Sequence, residues 1–221
     1  MKEQNVLKFY LLATTLKEKI RSGLVLWNVK KERLESVAEH IYGTCILAIS
    51  IDSEYDLDID LNKVLKMLVL HELEEVIIGD LTPFDNVSRK EKLRIGKKAV
   101  SKVLKDVVKK AEYECLLDEF NAHITKESKY AYMCDKLECD IWIKLYEDLG
   151  YNDINQKNLK PLKNKKVKKI IKNGATNIAD IFIEFDKDIY KEDEVFKNIL
   201  KYIKDNNLKN ILEIELNGQN K

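Results

Sequence analysis

The sequence predicts an all-α protein, and three observations carry that prediction. Apolar residues recur at helical rather than alternating spacing along nearly the whole chain. Seven Gly and two Pro in 221 residues supply few of the turns that a many-stranded chain would need. Helix start signals stand ahead of the apolar stripes, as at Ser36 with Glu39 three residues later, and at Asp60.

Taken in order, Phe9, Leu12, Ala13, Leu16 and Ile20 form one amphipathic stripe that ends near Gly23. Ser36 and Glu39 make a capping box that opens a second helix, running to about Ile51. The acidic stretch "DSEYDLDID" is a loop. Asp60 caps a third helix that continues through "VLHELEEVIIGDLTP", residues 69–83, and stops where Gly79 and Pro83 both break it. A fourth helix is expected over 88–110, another over 111–122, and a long one over 128–148 ending at Gly150. Beyond it the composition shifts to a lysine-heavy block, "KNLKPLKNKKVKKIIKNG", followed by "ATNIADIFIEFDKDIY" and the amphipathic "EVFKNILKYIKDNNLKNILEIEL". The expected organisation is a domain over 1–150 and a C-terminal helical extension over 151–221, packed on or beside it.

Thirty-nine Lys and Arg balance 38 Asp and Glu, so the net charge of +1 gives no footprint for a nucleic acid polymer. The lysine block is read as a solvated helix face, since acidic residues surround it. No apolar run approaches the ~18 residues of a membrane span, and the N-terminus, interrupted by Lys8, lacks a cleavage pattern. Cys45, Cys115, Cys134 and Cys139 fit neither a zinc knuckle nor a disulfide framework. These features point to a soluble protein of the reducing cytoplasm.

The chemistry concentrates on the third helix. Leu61, Val64, Leu65 and Leu68 define one face, and continuing at ~100° per residue places His71, Glu72 and Glu75 on it, with Glu74 turned toward solvent. Burying two carboxylates and an imidazole costs several kcal/mol unless something compensates, and a divalent cation suits that donor mixture. A hydrogen-bonded core histidine is the alternative. His40 lies at the edge of the stripe formed by Val37, Ile41, Thr44, Cys45 and Ala48, within reach of a neighbouring helix, whereas His123 sits between helices as a surface or cap residue. Asp135 shares a face with Ala131, Cys139, Trp142 and Tyr146, so it needs either a metal or an ion pair with a buried Lys or Arg. Cys134 and Cys139 point to different faces and are read as small buried hydrophobes.

His40, the pair His71-Glu72 and then Asp135 resemble the H…HD…D signature of the HD-domain phosphohydrolases. Within them, "ESVAEH", "LVLHELEEVIIGDLTP", "RKEK" and "CDKLECDIWIKLYED" resemble the 5′-deoxynucleotidase branch over about residues 7–150. The resemblance implies an HD-domain helical bundle in which His40, His71, Glu72 and Asp135 bind one divalent ion: Mn, Co, Fe, Ni, Zn or Mg. It implies Glu75 as general acid or base, Asp80 and Thr82 as substrate contacts, and Arg21 near the phosphate. For Arg21 a salt bridge near the helix end is the structural alternative. The implied reaction is hydrolysis of (deoxy)nucleoside 5′-monophosphates to nucleoside and phosphate; the C-terminal extension is expected either to cap the HD core or to mediate a homodimer. The rivals are pyrophosphohydrolase or phosphodiesterase chemistry, or a silent nucleotide-binding module. Two departures stand out: Glu72 replaces the usual Asp, and Leu24 stands where eukaryotic-type members carry tryptophan, with Trp27 nearby either displaced or simply in the core.

Overall fold

A computed structural model describes residues 1–217, and among them every extended element is helical. One isolated antiparallel bridge, between Ile20 and Ser36, is the sole β pairing of the described residues. The chain groups into two compact units: residues 1–22 with 35–135, and residues 23–34 with everything described from 136 onward.

In the first unit α1 (Lys2–Thr14) tightens into a 3₁₀ turn, Thr15–Glu18, and then leaves helical geometry. The expected stripe therefore stops short of Gly23. The amide of Arg21 donates to the Glu35 carbonyl at 3.1 Å and that of Val37 to the Lys19 carbonyl at 2.7 Å, so bonds between segments replace intrahelical ones and leave Ile20 42% exposed. Leu16 is buried, and Phe9, Leu12 and Ala13 pack against a core of Leu73, Val100, Val103, Leu104 and Leu117. A short α2 (Ser22–Leu26) follows.

The capping box opens α3 (Val37–Tyr55) as expected. Ser36 Oγ accepts from the Glu39 amide at 3.3 Å, and Glu39 Oε2 accepts from the Ser36 amide at 2.8 Å. The helix runs past Ile51 to a left-handed Asp56, φ 46°. Asp60 caps α4 (Leu61–Leu70), accepting the Lys63 amide at 3.1 Å. Val64, Met67 and Leu68 of α4 are fully buried, each stabilising the unit by roughly 1.5–3 kcal/mol.

The third helix is not continuous through the motif. It ends at Leu70, residues 71–74 form a tight turn, and α5 (Glu75–Ile78) resumes before Gly79, φ 76°. The turn is held by three-residue bonds, from the Leu73 amide to the Leu70 carbonyl at 3.0 Å and from the Glu75 amide to the Glu72 carbonyl at 2.9 Å. His71 Nδ1 takes the Leu68 carbonyl at 2.6 Å, which a regular helix would offer to residue 72.

Ser88 caps α6 (Arg89–Val103), which ends seven residues before the expected 110, and α7 (Lys110–Ala122) follows. Between them no Gly or Pro breaks the pattern. The turn instead buries Leu104, packs Val107 on the core, and gives the Ser101 carbonyl to Lys110 Nζ at 3.2 Å. His123 ends α7 in a left-handed cap, φ 51°, stacked on Tyr132 at 3.8 Å. The long α8 (Lys126–Asp148) is tied to α3 where Tyr130 donates its hydroxyl to the Ala48 carbonyl at 2.7 Å.

The second unit holds α9 (Lys165–Lys172), α10 (Ile178–Asp186), α11 (Glu194–Asp205) and α12 (Leu208–Asn217). In α9 Val167 and Ile170 are buried while Lys165, Lys166, Lys168 and Lys169 are exposed, so this stretch of the lysine block is a solvated face. Trp27 is fully buried beside Phe182, ring centroids 5.9 Å apart, and acts as a core residue. Asp140 is buried too, accepting the Tyr190 hydroxyl at 2.9 Å. Among the described residues no helix is long and apolar enough to cross a membrane.

Candidate metal centre

Four side chains from three segments meet in the first unit. His40 comes from the first turn of α3, His71 and Glu72 from the tight turn after α4, and Asp135 from α8; one ligand atom of each lies within 4.8 Å of all the others. His40 Nε2 is 3.1 Å from Asp135 Oδ1 and 3.9 Å from Glu72 Oε1. His71 Nε2 is 3.7 Å from the same Asp135 oxygen and 3.4 Å from the same Glu72 oxygen.

The tautomer of His71 follows from its partner. A carbonyl only accepts, so Nδ1 carries the proton donated to Leu68, and the lone pair of a neutral ring is left on Nε2. That Nε2 is buried and makes no hydrogen bond. An imidazole lone pair, a second imidazole and two carboxylates gathered out of water form a donor set that fits a divalent cation. Glu72, one methylene longer than the usual Asp, still brings its Oε1 to both imidazoles.

The surrounding carboxyls divide by environment. Burial pushes Glu72 up, but His71, Arg21 and His40 outweigh it, against the charge of Asp135, and hold the carboxyl well below its ordinary range. Burial pushes Glu75 the other way, to about 10, with the charges of Glu72 and Asp80 adding to the rise and Lys92 and Arg21 opposing it. Glu75 is 1% exposed, and its Oε2 has no hydrogen-bond partner. Glu74 is not solvated as the helical wheel suggests. Its carboxyl packs on Gly96 of α6, where a Cβ would stand 3.2 Å from Glu74 Oε1, and burial, reinforced by Glu72, raises it to about 7. It also lines a cleft of about 240 Å³ with Leu93, Val100, Leu117 and Asn121.

The predicted substrate contacts have partners of their own. Arg21 is half-buried, its NH1 3.8 Å from Glu72 Oε1 and its Nε 3.8 Å from Glu35 Oε1. Asp80 Oδ2 accepts the Ser22 amide at 2.6 Å. The Thr82 hydroxyl donates to Asp85 Oδ2 at 2.9 Å and accepts the Phe84 amide at 3.2 Å, which folds the loop on itself. His123 stays on its cap, apart from the cluster. Sequence reasoning set Glu74 aside as solvent-facing and did not single out Lys92. The signal for Lys92 lies in "RKEK", which crowds cations into the first turn of a helix, against its dipole.

Comparison with known proteins gives the family. The family model described as HD domain matches residues 13–179. The 5′-deoxynucleotidase HDDC2 of Danio rerio is 34% identical over 66% of this chain and 71% of its own, and that of Bos taurus 32% identical over 66% and 70%. The solved structure of a predicted metal-dependent phosphohydrolase from Magnetospirillum magnetotacticum superposes with a TM-score of 0.60 at 18% identity, covering 90% of this chain and 93% of that one. With a family match over most of its length and its four ligand candidates drawn together, the chain belongs to the HD domain family.

Proposed function

We propose that the protein is a metal-dependent phosphomonoesterase that hydrolyses nucleoside 5′-monophosphates, deoxyribonucleotides favoured, to nucleoside and inorganic phosphate. The observation that carries this reading is the convergence of His40, His71, Glu72 and Asp135, with His71 Nε2 buried and unbonded. The names of the deoxynucleotidase relatives support the substrate class.

In this reading His40, His71, Glu72 and Asp135 hold one divalent ion, of Mn, Fe, Co, Ni, Zn or Mg. A cation so held supplies a Lewis acid that polarises a phosphoryl oxygen and acidifies water. Glu75, whose carboxyl burial pushes toward the protonated form, serves as the general acid that gives a proton to the departing 5′-oxygen. Arg21 offers a planar fork to the phosphate. Asp80, held by the Ser22 amide, and Thr82 shape the loop that faces the nucleoside. All these residues fall within 1–150, which we take as the catalytic domain, with 151–221 as a helical addition. Four cysteines without a disulfide suit the cytoplasm, and a homodimer is part of the proposal that sedimentation would decide.

The test is phosphate release from deoxy- and ribonucleoside monophosphates with Mn, Co or Mg added, comparing wild type with Glu75→Ala. The variant should lose roughly 10²–10⁴ in rate. Release unchanged in Glu75→Ala would remove the acid assignment. No release with any metal would leave a silent binding module, and release from diesters or triphosphates alone would favour the other phosphohydrolase chemistries.

A further inference from the structure

The loop after Gly79 is tethered at two adjacent residues to two different cationic segments. On one side Asp80 Oδ2 takes the amide of Ser22, the residue next to Arg21. On the other, the Leu81 carbonyl accepts from Lys92 Nζ at 3.2 Å. Lys92 and the residue next to Arg21 are thus bonded to adjacent residues of the loop that follows α5 and its Glu75. The two charges also meet electrostatically, since both oppose the rise that burial imposes on the Glu75 carboxyl.

Lys92 differs from the other lysines of its helix. Lys90, Lys97 and Lys98 of α6 are exposed, whereas Lys92 is half-buried. Among the described residues its single hydrogen bond goes to a neutral carbonyl, and no carboxylate of those residues lies within ion-pair distance of it. An ammonium has three donors. Two remain for another group: Lys92 feels the charges of Glu74 and Glu75, but neither carboxylate is close enough to take those donors, so the partly desolvated ammonium favours an anion there. Its place in the first turn of α6 adds to the local cost, because the helix dipole disfavours a cation at that end.

We infer that Lys92 is a second cationic contact for the substrate's phosphate, opposite Arg21, and that the same ammonium fixes the 79–82 loop through Leu81. The substrate class rests on the function proposed above; the anion-binding role does not. A phosphate dianion has oxygens enough for the Arg21 fork and the Lys92 ammonium together, which leaves Glu75, on which both charges act, to serve the bridging oxygen.

The experiment compares full-length wild type, Lys92→Met and Lys92→Arg, first by titration of inorganic phosphate into each protein and then by nucleotide turnover. Loss of a charge-assisted hydrogen bond should weaken phosphate binding by roughly tenfold to a hundredfold in Lys92→Met. Lys92→Arg, which keeps charge and donors, should recover most of it. In turnover the Met variant should show a raised KM with a smaller fall in kcat. Unchanged phosphate affinity in Lys92→Met would overturn the inference. So would a fall in kcat alone, with KM unmoved, since that is the signature of a loop prop. If wild type cleaves no nucleotide, the proposed function fails while the phosphate titration still decides Lys92.

Discussion

Asp135→Asn isolates the cation's contribution to stability. Asp135 is 4% exposed, and its Oδ1 lies 3.1 Å and 3.7 Å from the two imidazole Nε2 atoms, so one oxygen serves both histidines. Asn keeps the shape and one acceptor but loses the charge. A ligand present at 100 times its Kd stabilises by about 2.7 kcal/mol, and for a chain of this size each kcal/mol moves Tm by about 2–4 °C, so a saturating cation should raise wild-type Tm by roughly 5–11 °C. If losing the carboxylate weakens binding about a hundredfold, the same cation concentration equals Kd, the gain drops to about 0.4 kcal/mol, and the shift shrinks to roughly 1–2 °C. The assay is thermal unfolding with Mn, Co, Ni or Zn against a chelator, and the quantity read is the increment, so any loss of cation-free stability in the variant cancels. A full increment in Asp135→Asn, or none in wild type with any of these ions, would refute the reasoning.

Ser36→Ala removes the cap of α3 and should cost about 1 kcal/mol, a fall in Tm of about 2–4 °C by calorimetry, while leaving most of the cation increment in place. Asp140 is held well above the ordinary carboxylate range, chiefly by burial and then by the charge of Asp186. Its contribution to stability is therefore full below about pH 4 and lost as pH rises through the folded-state value, at up to about 1.4 kcal/mol per pH unit. Asp140→Asn should flatten that decline in urea midpoints measured from pH 4 to 7; parallel declines in both proteins would contradict it. Gly96→Ala gains helix propensity of about 0.8–1 kcal/mol but presses on Glu74, so its benefit should emerge fully only when Glu74→Ala clears the space, a coupling that a double-mutant cycle measures.

What the sequence made legible was what local rules control. The Ser36–Glu39 box and the Asp60 cap are set by residues three apart, and they stand in the structure as read. The grouping of His40, His71, Glu72 and Asp135 came from a motif, and it too is present as a cluster. Three expectations failed where a distant partner decides. Ile20 leaves its helix because the Lys19 carbonyl and the Arg21 amide on either side of it bond to Val37 and Glu35 instead of continuing the turn. Glu74 turns inward because Gly96, twenty-two residues on, offers a surface without a Cβ. The expected helix over 88–110 divides with no breaker in the sequence, because ending it buries Leu104 and brings Val107 onto the core.

The break at Leu70 joins these two levels. Uninterrupted α geometry would engage the Leu68 carbonyl with the amide of residue 72, and His71 Nδ1 would then have to find another acceptor. The tight turn releases that carbonyl to the imidazole, which fixes the ring and aims the bare Nε2 at Asp135 and Glu72. The irregularity that the periodicity missed thus orients the ligand that the motif found. The same logic covers the other two segments. The capping box fixes the turn of α3 that carries His40, and Tyr130, one turn before the Asp135 level on α8, is bonded to Ala48 further along α3. His40, His71 and Asp135 are therefore anchored through a bond made by a neighbour or by a second ring nitrogen, which helps four ionisable groups stay close together out of water until a cation offsets the cost of burying them.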